Sequence, residues 1–322
     1  MPEDKKEEKK DLMPVVLMGA LFVIIHGLAI LVTQPFIDAG IRPAFDDIND
    51  PINIVFIFAI LLVFTLLILL ISKFWKKQVI QIIILAAIGY TAAYVFYPLY
   101  TLLTSNLILF KIPLSENLNL LVTLGAVLAI ISAIVLVYAL YKYPEWYVID
   151  ISGVIIGAGA IAIFGMSLGI LLVVVLLIGL AIYDAISVYK TKHMIDLADT
   201  VMDLKLPVLL VIPKIKNYSL IKETKRLKQQ IEEGEERDAF FMGLGDIVMP
   251  GILVAAAYNT IPNGLPVALS VIIGTLVGFS ILMYYVMKGK PQAGLPLLCS
   301  GAILGYVISS LIIYQELAGL SL

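Results

Sequence analysis

The chain has 322 residues, of which 61% are hydrophobic and only 14% are charged, and its formal net charge is −2. Soluble globular proteins have about 45–50% apolar and about 25% charged residues, so this apolar excess is too large for a core buried in water. The basic residues are scattered among the loops rather than clustered, which gives no indication of nucleic-acid binding. Composition therefore predicts an integral protein of the lipid bilayer.

Nine apolar stretches follow in chain order, each of about the 20 residues that a helix needs to cross a ~30 Å hydrocarbon core. They lie at about 14–33, 52–72, 78–103, 117–141, 146–165, 168–189, 242–262, 266–287 and 295–315. The first has full spanning length and no small-residue cleavage site after it, so we interpret it as a transmembrane helix and not as a signal peptide. The predicted fold class is all-α: a polytopic membrane protein with nine transmembrane helices.

The positions of lysine and arginine predict the orientation, because these residues concentrate in cytoplasmic loops. With the N-terminus in the cytoplasm, every lysine and arginine except Arg42 and Lys111 lies on the cytoplasmic side. Nine spans then place the C-terminus outside. We expect residues 1–189 to form an N-terminal part with the tail and spans one to six, 190–241 a cytoplasmic polar loop, and 242–322 a C-terminal part with spans seven to nine.

Two aspartates lie inside apolar stretches on either side of the polar loop. Asp184 is in LLVVVLLIGLAIYDAISVY of span six, and Asp246 is in AFFMGLGDIVMPGILVAAA of span seven. An ionised aspartate at bilayer depth costs at least ~2.5–3.5 kcal/mol on insertion scales, so such residues need a reason. Because a cytoplasmic loop joins spans six and seven, the two helices run antiparallel. Counted at ~1.5 Å per residue from Lys190 and Arg237, both carboxylates lie at a similar depth near the cytoplasmic edge.

Two carboxylates at one depth in a low dielectric hold a single proton between them. An aspartic protease needs this arrangement, since one carboxylate draws a proton from water while the other protonates the carbonyl of the scissile peptide. Gly243 and Gly245 leave room beside Asp246 for a substrate backbone. Tyr183 is a candidate for a hydrogen bond or an aromatic contact beside Asp184. Intramembrane acids also mark proton relays and ion sites, so composition and depth alone leave a transporter open.

The YD pair in span six and the GLGD run in span seven resemble the YD and GxGD motifs of the presenilin and signal peptide peptidase family. The AGLP run before the last span is an imperfect counterpart of the family's Pro-Ala-Leu motif. Nine spans with a polar loop between six and seven is the family's layout, so the resemblance covers nearly the whole chain. The runs YDAISVYKTKHM and PQAGLP are most similar to single-chain archaeal homologues. The candidate site residues are Tyr183, Asp184, Gly243, Leu244, Gly245, Asp246, Ala293, Gly294, Leu295 and Pro296.

The resemblance implies hydrolysis of peptide bonds within transmembrane helices of membrane protein substrates, with Asp184 and Asp246 as catalytic residues and without a metal or organic cofactor. In the family the substrate helix unwinds and adds a strand near the active site, and the AGLP segment would supply part of the docking surface. The run LKLPVLLVIPKI at 205–216 has β-branched residues and two prolines, and we interpret it as an extended edge for the same pairing. The resemblance also implies an archaeal cell membrane.

Two other functions remain open at the level of sequence. A cation leak channel or proton-coupled transporter would use the same acids, but it should show internal repeats, and six plus three spans show no such symmetry. A membrane scaffold without chemistry leaves the placement of both acids unexplained. Homo-oligomerisation stays open, and no feature of the sequence indicates an obligate partner subunit.

The remaining polar residues of the spans have structural interpretations. Asp150, in WYVIDISG, is interpreted as an interfacial or hydrogen-bonded residue, and His26, in the middle of span one, as a hydrogen-bonded structural histidine. His26 and His193 are the only histidines and Cys299 is the only cysteine, so the sequence excludes a clustered Cys and His zinc site and an intramolecular disulfide.

Overall fold

The structure is a computed structural model that describes residues 4–60, 62–63, 77–109, 118–191, 209–215, 218–221, 238–288 and 292–320. We number the nine helices within these ranges α1 (Asp4–Asp38), α2 (52–60), α3 (Lys77–Leu109), α4 (Leu118–Lys142), α5 (Trp146–Ser167), α6 (Ile170–Ile186), α7 (Leu244–Thr260), α8 (Leu265–Met287) and α9 (Gly294–Tyr314). The chain continues from α6 into a single π-helical turn at Ser187–Thr191.

Seven of the helices in the described ranges are long and apolar enough to cross a membrane. The predicted all-α polytopic fold is therefore confirmed, and the predicted spans coincide with α1 to α9. Helix α7 is apolar but shorter, and α2 covers only the first part of the span predicted at 52–72, whose remainder lies mostly outside the described residues. Helix α1 is longer than the predicted 14–33, because the charged tail is helical from Asp4.

The division between spans five and six lies at Leu168 and Gly169, between α5 and α6. The backbone N–H of Gly169 donates a 2.8 Å hydrogen bond to the carbonyl of Ile48. A Cβ at position 169 would collide with the side chain of Asn49, so only glycine lets the loop before α2 approach this closely. The break in the apolar run is therefore held by a tertiary contact.

Two short strands form the only sheet within the described part of the chain. Strand β1 (Leu209–Pro213) pairs with β2 (Ala239–Gly243) in an antiparallel ribbon, with Val211 opposite Phe241. Span seven was predicted to begin at residue 242, but residues 242 and 243 pair with β1 and α7 begins only at Leu244. The extended interpretation of 205–216 holds for 209–213, and the charged run at 222–237 lies outside the described residues.

Helix α7 is the centre of the helical packing and contacts α1, α5, α6, α8 and α9. Every residue from Pro250 to Ala257 is buried, as expected for a helix that is surrounded by others. A Cβ on Gly165 would collide with Ala255, so glycine in α5 brings the two helix backbones close together. This packing holds the start of α7, and with it Asp246, in a fixed place.

Candidate active site

Asp184 and Asp246 lie at facing ends of neighbouring helices. Asp184 is in the last turn of α6 and Asp246 is in the first turn of α7, and both side chains are half-buried. Both carboxylates lie beside the first residues of α9, so the two acids are neighbours. The structure therefore brings together the two acids that the sequence placed at one depth on antiparallel helices.

The AGLP segment joins the two carboxylates at the start of α9. The backbone N–H of Leu295 donates a 3.0 Å hydrogen bond to Oδ2 of Asp184. A Cβ on the preceding Gly294 would lie 3.3 Å from Oδ2 of Asp246. Since the Leu295 nitrogen and the Gly294 Cα are two bonds apart, one short stretch of backbone lies beside both acids. This is the tightest geometric evidence that the three motifs form one site.

The GLGD segment links β2 to α7, and no side chain larger than hydrogen from its two glycines stands beside Asp246. A Cβ on Gly243 would lie 3.3 Å from Oδ2 of Asp246, whereas one on Gly245 would meet nothing within 4 Å. Position 243 therefore keeps space for the carboxylate, and position 245 lies on the open side where a substrate backbone has room. The side chain of Leu244 points the other way, toward Gly157 of α5.

The remaining candidate residues differ in how they relate to the acids. Tyr183 is 66% exposed, and among the described residues its hydroxyl makes no hydrogen bond to Asp184. Ala293 is buried at the N-cap of α9, and Pro296 lies in the first turn of that helix. The hydroxyl of Tyr189 donates a 2.8 Å hydrogen bond to Oε1 of Gln292, directly before AGLP. The sequence carried no signal for this bond, because it joins residues 103 positions apart.

Two polar residues outside the motifs form hydrogen bonds with the backbone of segments near the acids. Nε2 of His26 lies 2.9 Å from the carbonyl oxygen of Ile247, the residue after Asp246. Oδ1 of Asp150 accepts a 2.8 Å hydrogen bond from the backbone N–H of Val211 in β1. Both side chains are buried, so the hydrogen-bonded interpretations from sequence are confirmed, although the partners were not predicted. Across the described ranges, no group of three or more His, Cys, Asp or Glu side chains is arranged to hold a metal ion.

Comparisons with known proteins identify a protein family and two similar solved structures. The family model described as signal-peptide peptidase, presenilin aspartyl protease matches residues 19–314. Two solved structures of a presenilin family intramembrane aspartate protease, in C222 and P2 crystal forms, are similar to this chain. The first has 31% identity and a TM-score of 0.62, with 94% of this chain and 99% of the other covered. The second has 34% identity and a TM-score of 0.64, with 93% and 98% covered.

No curated protein sequence matches the chain. Neither the family model nor these two structures support a channel or a transporter. A family match over nearly the whole chain, two acids that interact at neighbouring helix ends and a polytopic helical fold all lead to one assignment. The chain belongs to the signal-peptide peptidase, presenilin aspartyl protease family, and it is an intramembrane aspartate protease.

Proposed function

We propose that Asp184 and Asp246 are the catalytic dyad and that the enzyme hydrolyses peptide bonds within transmembrane helices of membrane protein substrates. The observation that supports this most directly is the position of both carboxylates beside the same stretch of backbone, where Leu295 donates to Asp184 and a Cβ on Gly294 would meet Asp246. Two acids held side by side at the membrane-embedded ends of helices share one proton, which is the state from which an aspartic protease begins.

The dyad acts as base and acid in turn. The Leu295 N–H donates to Asp184, and a charged carboxylate accepts such a bond best, so Asp184 takes the proton from the attacking water. The water oxygen adds to the scissile carbonyl carbon while Asp246 donates its proton to the carbonyl oxygen. Asp184 then passes its proton to the peptide nitrogen, the C–N bond breaks, and Asp246 takes a proton from a hydroxyl of the tetrahedral intermediate, so the products are an amine and a carboxylic acid and the dyad again holds one proton.

The outer edge of β2 is the proposed docking edge for the substrate. The N–H of Lys214 donates to the carbonyl of Asp238, so these two residues form a hydrogen-bonded pair between β1 and β2. In an antiparallel ribbon, hydrogen-bonded pairs alternate with pairs that exchange no hydrogen bond. By that alternation Phe240 and Met242 bond to β1, while the backbone groups of Phe241 and Gly243 face away from it. An unwound substrate segment that adds to this edge ends three residues from Asp246. The pairing thus brings the scissile bond to the dyad.

A membrane surrounds the enzyme, and we place the N-terminus in the cytoplasm and the C-terminus outside, as the lysine and arginine distribution favours. In this orientation, the facing ends of α6 and α7 lie toward the cytoplasm, and so does the dyad. The substrate enters laterally from the bilayer, and the resemblance of the runs YDAISVYKTKHM and PQAGLP to archaeal homologues favours a prokaryotic cell membrane. Tyr183 and the run Gly243, Leu244 and Gly245 flank the dyad along the chain, and Ala293, Gly294, Leu295 and Pro296 form the docking segment.

The test is cleavage of a transmembrane peptide by the purified full-length protein in detergent. Asp184→Asn and Asp246→Asn should each abolish cleavage, because neither asparagine exchanges a proton with water. Asp38→Asn is the matched control, since Asp38 is an exposed acid at the end of α1 and should leave the rate unchanged. Wild-type rates in either dyad variant would refute the assignment. Ion uptake into liposomes that both dyad variants abolish, with no cleavage by the wild type, would favour a transporter.

A further inference from the structure

The edge of β1 that faces away from β2 is closed by another helix. The N–H of Val211 points to this edge, and Oδ1 of Asp150 accepts it at 2.8 Å. Pro213, the next residue on the same edge, has no N–H to donate. Neither position therefore offers a free donor to an added strand, and substrate pairing is directed to the edge of β2.

Asp150 is poorly explained as a surface residue. It is 7% exposed and lies in the second turn of α5, a spanning helix, where a buried carboxylate requires a polar partner. Its partner is the backbone of a strand 61 residues further along the chain. Glu145, at the N-cap of the same helix, accepts hydrogen bonds from the Ser219 hydroxyl at 2.6 Å and the Leu220 N–H at 3.1 Å. The start of α5 therefore holds both β1 and the segment after it.

The same face of α5 contacts the catalytic segment. A Cβ on Gly153 would lie 2.7 Å from Cδ2 of Leu210 in β1, and one on Gly157 would lie 3.2 Å from Cδ1 of Leu244. Positions 150, 153 and 157 recur at helical spacing and therefore share one side of the helix. One face of α5 therefore sets the position of β1 relative to Leu244, which lies two residues before Asp246.

We propose that Asp150 is a positioning residue for proteolysis. It fixes β1 to α5, closes the outer edge of β1, and so sets the height of the β2 edge relative to the dyad. The inference rests on the proposed addition of the substrate strand to β2. When the ribbon loses this anchor, the substrate strand pairs in more than one register, and different peptide bonds reach Asp246.

The experiment compares three variants of the full-length enzyme in detergent with a transmembrane peptide substrate. Asp150→Leu removes the acceptor and keeps the approximate size, Asp150→Asn keeps an acceptor oxygen, and Ser152→Ala is the matched control. Ser152 is buried in α5 two residues later, and its hydroxyl donates only to the carbonyl of Val148 in its own helix. The measurements are kcat, KM, the mass of each product, and thermal unfolding.

Asp150→Leu should lower kcat about 100-fold, the loss expected for a misplacement of about 1 Å, and should spread the products over neighbouring bonds. Asp150→Asn should restore the wild-type products with kcat within a few-fold, and Ser152→Ala should match the wild type throughout. A merely structural residue would change thermal unfolding without changing the products. The rescue by asparagine and the product masses therefore distinguish positioning from stability.

A folded Asp150→Leu enzyme with wild-type kcat and wild-type products overturns the proposal. Should that variant fail to fold, Asp150→Glu replaces it, since it keeps an acceptor but displaces it by one methylene. Wild-type products and kcat from Asp150→Glu then overturn the proposal in the same way. An inactive wild type overturns the proposed proteolysis and this inference together, whereas an active wild type with an unaffected Asp150 variant overturns this inference alone.

Discussion

Replacement of Gly294 by alanine tests whether the dyad requires the absence of a side chain at this position of AGLP. The added Cβ would lie 3.3 Å from Oδ2, 3.4 Å from Cγ and 3.5 Å from Oδ1 of Asp246. Non-bonded heavy atoms are most stable at about 3.5–4.0 Å, so the Asp246 carboxylate has to move by a few tenths of an ångström. The three heavy atoms nearest to the new methyl group, apart from its chain neighbours and the backbone of its own helix, all belong to this carboxylate.

The expected effects on activity and on stability have opposite signs. A misplacement of 1 Å costs about 100-fold in rate, so a few tenths of an ångström should lower kcat about tenfold, which equals about 1.4 kcal/mol in the barrier. Gly294 is the first residue of α9 and has a negative φ. Alanine at such a position stabilises the folded state by about 0.4–1 kcal/mol, because the unfolded chain has fewer conformations.

The assay is steady-state cleavage of a transmembrane peptide, with thermal unfolding measured on the same preparation. Gly27→Ala is the matched control, since a Cβ at Gly27 in α1 meets nothing within 4 Å. It should raise stability with no change in kcat. A Gly294→Ala enzyme with wild-type kcat would refute the reasoning that this glycine makes room for the Asp246 carboxylate during proteolysis.

Two further substitutions test the packing that holds the site. Gly301→Ala should lower the free energy of unfolding by about 1–3 kcal/mol, because a Cβ at Gly301 collides with the Gly274 carbonyl and forces α8 and α9 apart; an unchanged thermal transition in detergent would contradict this contact. His26→Leu should cost about 0.5–1.5 kcal/mol through the lost hydrogen bond to Ile247, and should also lower kcat because that carbonyl follows Asp246. Full activity in a His26→Leu enzyme with reduced stability would show that the bond is only structural.

The spans and the two acids were predictable because each depends on local chemistry. A helix in lipid needs about 20 apolar residues in sequence, and a charged residue inside such a run is visible without any tertiary information. The shared depth of Asp184 and Asp246 followed from the short distance of each to the charged polar loop and from the antiparallel direction of their helices. The nine helices in the described ranges and the matched family agree with the predicted polytopic fold.

The start of span seven was predicted two residues early for a physical reason. Phe241, Met242 and Gly243 are as apolar as the helix that follows, so hydropathy alone extends the helix through them. Their pairing with β1 is decided by a strand about 30 residues earlier in the chain, which no local pattern reveals. The run at 205–216 indicated an extended segment. It did not indicate which edge of the ribbon is available to a substrate, because that depends on the hydrogen bond from Val211 to Asp150 and on the missing N–H of Pro213.

The amino-acid sequence by itself determined that this is a membrane protein, how often it crosses the bilayer, and which two carboxylates are paired in depth. These features depend on the transfer of side chains between water and lipid, and that free energy is a property of each segment alone. Only the tertiary structure decided that Gly294 and Leu295 lie beside both acids and that Asp150 accepts a hydrogen bond from β1. The hydrogen bonds to Asp184 and Asp150 join residues 111 and 61 positions apart, and they arise only once the helices have packed.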